Sequence, residues 1–258
     1  MANSSISAKP YLPYFAVGPF YHRHTATVIW LHGLGDTGQG MRVAANKLSL
    51  HPLLGHVKII LPSAPIMPVT GKGRRLMSSW FDCLSFDIEN RREDEEGLFR
   101  AVGWINEIIQ AERKAGIPPS RIIVGGLSQG GALAMLTGLT TAEHLAGVFL
   151  LSSYVPLRRK VQDVATNLAA RLPLFWGHGK CDGQVKYDFA LASAKQLASD
   201  LGVRFQLKEK AQTREDLEKN GIDGIRFHSY PSLGHWIAPD ELDDLVVWAA
   251  YLLPDIKL

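Results

Sequence analysis

Val124-Gly125-Gly126-Leu127-Ser128-Gln129-Gly130-Gly131-Ala132-Leu133 is the stretch on which the reading of this chain turns. Before it lies a short β-branched run, Arg121-Ile122-Ile123-Val124, and after it an apolar segment of helical character at 129–140. A strand that enters a helix through Gly-x-Ser-x-Gly turns sharply, so the serine hydroxyl stands clear of the backbone at the helix N-terminus. Glycines on both sides allow strand, turn and helix to approach where a Cβ would clash. Alone the pattern is weak, because Ser128 would also serve as a small packing residue or a helix N-cap. Its flanks, and the residues that follow it in order, give it weight.

Outward from this point, apolar runs of strand length alternate with longer helical segments. Strands are expected at 26–31, 57–61, 121–125, 147–151, 172–177 and 225–230, with an antiparallel edge strand at 14–19. Their continuous apolar character suits strands buried on both faces. Helices are expected at 40–50, 93–115, 129–140, 161–170, 187–201 and 239–253. In the second, Leu98, Val102, Ile105, Ile108 and Ile109 recur at helical spacing and read as core. Gly116, Pro118 and Pro119 end it. The alternation predicts an α/β fold: a mostly parallel central sheet with helices on both faces, forming a single domain over 1–258. Residues 1–24 then form an N-terminal extension that carries the edge strand. Two segments break the alternation. One is the Pro- and Gly-containing connection 62–86, of a length that is usually functional. The other is the polar stretch 203–224, with a short helix expected at 213–219.

Composition narrows the function classes. The chain has 258 residues, 46% of them hydrophobic and 21% charged, which is enough for a large core. A net charge of +3, evenly spread, argues against a nucleic-acid footprint. The mixed charge run at 89–96 reads as a solvated helix start. Cys83 and Cys181 make neither a disulfide framework nor a metal-ligand spacing, so no metal is expected. No secretory leader, membrane-length apolar run or lipidation motif is evident, and a reducing, cytoplasmic setting is expected.

A serine is a poor nucleophile until a base removes its proton, and the base needs a carboxylate to fix its tautomer. Asp182 follows one expected strand in Gly177-His178-Gly179-Lys180-Cys181-Asp182, and His235 follows another in Ser232-Leu233-Gly234-His235. The order Ser, Asp, His at strand C-terminal ends suits convergence at one sheet edge. The competing carboxylates Asp163 and Asp188 fall in or at the start of helices. His178 is the rival imidazole, expected as a buried turn residue bonded to backbone. His22, His24, His51, His56 and His144 read as surface or loop residues. The backbone N–H groups of Gln129 and Leu34 are expected to face an oxyanion, the second from Leu31-His32-Gly33-Leu34-Gly35-Asp36-Thr37-Gly38. That loop lacks the spacing of a nucleotide site.

Several short motifs together resemble the phospholipase/carboxylesterase family, which includes acyl-protein thioesterases and lysophospholipases. They are Gly33-Leu34-Gly35-Asp36-Thr37-Gly38, Pro62-Ser63-Ala64-Pro65, Ser79-Trp80-Phe81-Asp82, 126–132, the turn ending in Asp182, and Gly234-His235. The resemblance implies an α/β-hydrolase fold and a cofactor-free serine hydrolase with Ser128, Asp182 and His235 catalytic and Leu34 and Gln129 in the oxyanion hole. It also implies that Leu76, Met77, Trp80, Phe81 and Leu84 border an acyl channel. The chain departs from the family at three places. It carries an insertion at 203–224, expected on the face away from the catalytic edge and acting as a partner or stabilising surface. Trp236 stands where a small polar residue is usual, so an indole would wall the substrate pocket. Gly183-Gln184-Val185 replaces a Pro-containing turn. The implied substrates are acylated proteins first, then small or lipid esters as for a general carboxylesterase or lysophospholipase, with transient contact at a membrane surface. A non-catalytic binding protein that keeps the pocket is the alternative from another class. The oligomeric state is not legible.

Overall fold

The computed structural model describes residues 12–20 and 23–256. In chain order the strands are β1 (Tyr14–Val17), β2 (Ala26–Leu31), β3 (Val57–Pro62), β4 (Ile66–Val69), β5 (Arg75–Ser78), β6 (Ile122–Leu127), β7 (Gly147–Leu151), β8 (Leu174–Gly179), β9 (Phe205–Lys208) and β10 (Ile225–Tyr230). The helices are α1 (Arg42–Ser49), α2 (Glu95–Lys114), α3 (Gln129–Thr140), α4 (Val161–Val164), α5 (Tyr187–Leu201), α6 (Arg214–Asn220) and α7 (Pro239–Leu252). Eight strands form one sheet in the order β1-β3-β2-β6-β7-β8-β10-β9, while β4 and β5 form a separate hairpin. Only β1 runs antiparallel in the large sheet, as expected of the edge at 14–19.

Every residue of β2, β6, β7, β8 and β10 is buried, which accounts for the mostly apolar sequences of the first four; β10 also buries Arg226, His228 and Ser229. Side chains alternate between two cores. Ile29 and Leu31 join Leu98, Ile105, Leu133 and Leu197 beneath α2, α3 and α5. Val28 and Trp30 join Leu48, Leu217, Leu245 and Trp248 on the opposite face, beneath α1, α6 and α7. Helix α3, which follows Ser128, is buried on nearly every side, wedged between the sheet and α2. Asp94 starts α2 by accepting from Gly97 N at 3.0 Å, so the 89–96 charge run does lead into a helix.

Three expectations are corrected. The helix expected at 161–170 is a single α-turn followed by a 3-10 turn at Ala169–Arg171. Thr166 draws the chain away, its N–H donating to Leu139 O at 2.8 Å and its hydroxyl to Thr141 O at 3.1 Å. The connection 62–86 contains the β4–β5 hairpin, which its Pro and Gly residues obscured. The stretch 203–224 holds a strand as well as a helix, since β9 adds in parallel to β10 at the sheet edge. Because β9 runs parallel, the segment after it returns to the C-terminal edge of the parallel strands, where Glu209 pairs with Lys180 at 2.8 Å. The segment as a whole therefore does not lie on the opposite side.

Candidate active site

Ser128 occupies the turn from β6 to α3 with φ +52° and ψ −116°, a left-handed conformation that costs a side-chain-bearing residue about 1–3 kcal/mol. The surroundings over-determine it. Its N–H donates to Leu151 O at 2.9 Å, and its carbonyl accepts from Ala132 N at 3.0 Å and from Ser153 Oγ at 2.7 Å. The flanking glycines are required by contact as well as by angle. A Cβ on Gly130 would lie 2.3 Å from Leu31 O, and one on Gly126 would lie 2.5 Å from the Gly130 carbonyl carbon.

From this turn the Ser128 hydroxyl lies 2.9 Å from His235 Nε2, and His235 Nδ1 lies 2.9 Å from Asp182 Oδ2. The three residues come from the ends of β6, β8 and β10, and one proton path runs through them. The other Asp182 oxygen accepts from Gln184 N at 2.8 Å and Val185 N at 2.9 Å. Burial pushes the Asp182 carboxyl up, but the His235 hydrogen bond and charge and these two backbone donors outweigh it. The net effect holds Asp182 below the usual carboxylate range, ionised at neutral pH. Gly183-Gln184-Val185 therefore supplies the donors that fix Asp182.

His178 is fully buried beneath this pair. Its Nε2 lies 2.8 Å from Val185 O and 3.4 Å from Asp182 Oδ2, and burial lowers its pKa, so it backs the carboxylate as a neutral ring. Of the other histidines, His144 is exposed and His51 lies at a loop. His22 lies outside the described residues. His24 is partly buried against Thr27 Oγ1 at 2.9 Å, and His56 is 1% exposed with Nε2 2.9 Å from Leu253 O. Both lie in loops, as expected, and His56 ties its turn to the end of α7.

The Leu34 and Gln129 N–H groups donate to no acceptor among the described residues, and both residues line the cavity that holds Ser128. The Gln129 side chain anchors this edge. Its Nε2 donates to Ser79 Oγ and to Phe81 O, both at 2.9 Å, and its Oε1 accepts from Trp80 N at 3.1 Å. Trp80 Nε1 in turn donates to His32 O at 2.8 Å. The His32 ring, fully buried, lies 2.7 Å from Gly33 O and accepts from Ala64 N at 3.0 Å. The sequence reading passed over His32 and the Gln129 side chain, yet they tie the Leu34 loop to the turn at Ser128.

A cavity of about 750 Å³ opens at Ser128 and His235, and its apolar wall includes Met77, Phe86, Ile88, Val185 and Trp236. Of the six residues expected to border a substrate, Met77 and Trp236 line this cavity. Trp236 is 63% exposed at the cavity mouth. The other four proposed lining residues do not reach it. Trp80 and Phe81 are sealed in the core, held by the Gln129 and His32 bonds. Leu76 is 67% exposed, because Leu76 and Met77 alternate across the hairpin and only one can face inward. Leu84 is partly buried and lies outside the lining. Ile88, Arg91 and Tyr154 were missed. The first two lie just beyond the connection singled out at 62–86. Tyr154 follows Ser152-Ser153 past the end of β7, at the strand edge where sites gather. Among the described residues no cluster of three or more metal-ligating side chains forms.

The sequence profile described as phospholipase/carboxylesterase matches residues 12–252. An acyl-protein thioesterase 1 of Cryptococcus neoformans var. neoformans is 42% identical over 87% of this chain and 91% of its own. One of Mycosarcoma maydis is 39% identical over 89% and 92%. The crystal structure of Arabidopsis thaliana SOBER1 superposes with TM-score 0.76 at 29% identity, covering 89% of this chain and 99% of that one. Zea mays acyl-protein thioesterase 2 gives TM-score 0.73 at 29% identity over 94% and 100%. Likeness of this extent, carried from the first described strand to the last helix, makes the chain a hydrolase of the phospholipase/carboxylesterase family.

Proposed function

We propose that this hydrolase, acyl-protein thioesterase-like in its relatives and its fold, removes acyl groups from S-acylated proteins through an acyl-enzyme on Ser128. The reading is carried by one observation: an unbroken hydrogen-bond path from Asp182 through His235 to the Ser128 hydroxyl at the mouth of a largely apolar cavity. His235 Nε2 takes the hydroxyl proton as Ser128 Oγ attacks the thioester carbonyl. Asp182, held ionised, keeps the ring tautomer correct and stabilises the imidazolium. The tetrahedral oxyanion faces the free Leu34 and Gln129 N–H groups, each donor of this kind lowering the barrier by roughly 3 kcal/mol. His235 then protonates the leaving thiolate, and a water repeats the sequence to free the acid. The methionine, phenylalanine, isoleucine and tryptophan of the cavity wall suit the hydrocarbon part of an acyl chain. Such chemistry needs no cofactor. Among the described residues no helix is long and apolar enough to cross a membrane. We place the protein in the cytoplasm, where it would meet acylated proteins at membrane surfaces.

The test is an acyl-length series of paired oxygen esters and thioesters with the purified chain and its Ser128→Ala variant. Turnover of both classes should fall about 10³-fold or more in the variant, with Tm retained. Turnover retained by Ser128→Ala contradicts the assignment.

A further inference from the structure

Arg91 places a guanidinium in the wall of the cavity that opens at Ser128, among side chains that are otherwise mostly apolar. It is half-buried, and its hydrogen-bonding partners are all neutral. Nη1 donates to Cys83 Sγ at 3.2 Å and Ser85 O at 3.1 Å, and Nη2 donates to the Tyr154 hydroxyl. The guanidinium carbon lies 4.8 Å from the Tyr154 ring centroid. Burial pushes the Tyr154 phenol up to about 12 and raises the Cys83 thiol, so neither supplies a negative charge at neutral pH. Glu93, two residues on, accepts from Leu157 N at 2.8 Å and acts on Arg91 through space, without ion-pair contact. Arg91 forms no ion pair with a carboxylate among the described residues. The other charged groups of the lining are Lys72, whose Nζ sits 4.5 Å over the Phe86 ring, and Asp36, whose Oδ1 accepts from Thr37 N at 2.8 Å.

A half-buried guanidinium whose hydrogen bonds all go to neutral groups still gains when a ligand brings a carboxylate into direct contact with it. A neutral clip between Ser85 and Tyr154 would not need a fixed charge. Five N–H groups in a planar fork are suited to a carboxylate, and three neutral contacts leave donors to spare. Resting on the esterase reading above, we propose that Arg91 is a specificity-determining residue that binds a carboxylate carried by the ester substrate. The enzyme then takes anionic esters in preference to neutral ones of the same length. The carboxylate can sit on the acyl part or on the leaving group, and the chemistry of recognition is the same.

Two substrate pairs separate those sources. The para-nitrophenyl monoester of adipic acid against para-nitrophenyl hexanoate places the charge on the acyl side. Acetylated para-hydroxybenzoate against its methyl ester places it on the leaving side. In one pair the anionic-to-neutral ratio of kcat/KM should fall about tenfold or more on Arg91→Gln, the loss of one charge-assisted contact, and Arg91→Lys should restore part of it. Turnover of the neutral esters with that ratio unmoved in both pairs overturns this proposal alone, as does a proportionate loss on every ester with a lowered Tm. A protein inert toward both neutral esters overturns the catalytic reading and this proposal with it.

Discussion

At Ser128 the backbone is held in a conformation that its side chain disfavours, and hydrogen bonds at both the N–H and the carbonyl keep it there. Strain of this kind is tolerated where the fold fixes it, and here it aims the hydroxyl at His235 Nε2. Asp182→Asn should leave the packing intact while offering the wrong partner to His235 Nδ1, so kcat should fall by about 10⁴ with little change in Tm. Steady-state kinetics beside a thermal melt checks this; a small loss in kcat would mean that the carboxylate does not orient the ring. Trp236 makes a second test. Its indole stands exposed at the cavity mouth, so Trp236→Ser should shift the acyl-length profile toward longer chains. An unchanged profile would remove Trp236 from the pocket. The hydrogen-bonded trio of Ser128, His235 and Asp182 was readable because the proposed chemistry demands three residue types in a fixed order after successive strands. The pocket wall was not. Trp80 looks like a wall residue in sequence, but its indole N–H is committed to His32 O, and nothing local reveals that bond.

At the level of elements, the buried strands and the long helices were legible because continuous apolar runs and the 3.6-residue period leave little choice. The β4–β5 hairpin escaped because its strands are short and partly exposed, and one contains a proline. The strand β9 escaped because an edge strand with one neighbour keeps polar residues, among them Gln206 and Lys208. Helix α7 carries a buried acid that sequence pattern would place on a solvated first turn. Glu241 is fully buried, its Oε2 accepting from Ala238 N at 3.3 Å while Oε1 has no hydrogen-bond partner among the described residues. Burial, reinforced by Asp240 and Asp244, pushes its carboxyl up to about 8 against the opposing Ala238 N–H. A raised carboxyl stabilises the fold in its protonated form, fully so below about pH 4.5, and that contribution is lost as pH rises through about 8. Glu241→Gln removes the ionisation, so its Tm should overtake that of the wild type by several degrees between about pH 6 and about pH 9. A constant Tm gap across that interval would show that the Glu241 carboxyl is already ionised in the folded state and is not raised.

Across the whole molecule, the stretch 203–224 extends the sheet and seals one end of the second core. Leu217 is fully buried against that core, and Asp216 bridges Arg226 at 2.7 Å and Lys208 at 2.8 Å. The Asp216 carboxyl feels some desolvation, but bonds from Lys208, Gln212, Arg226 and Asn220 hold it well below the usual range. None of these residues lines the cavity at Ser128. Leu217→Ala should therefore destabilise the fold by about 2–4 kcal/mol and leave kcat/KM at assay temperature unaltered. Chemical denaturation and ester kinetics on the same sample check both halves; lost activity without lost stability would connect this segment to catalysis. The central claim for the molecule is that one serine among its hydroxyls carries the acyl group. Peptide mapping by mass spectrometry after treatment with a fluorophosphonate tests it most directly. The account predicts a single adduct, on the peptide containing Ser128, absent when the protein is unfolded before treatment. An adduct confined to another residue, or none on the folded protein, would contradict it.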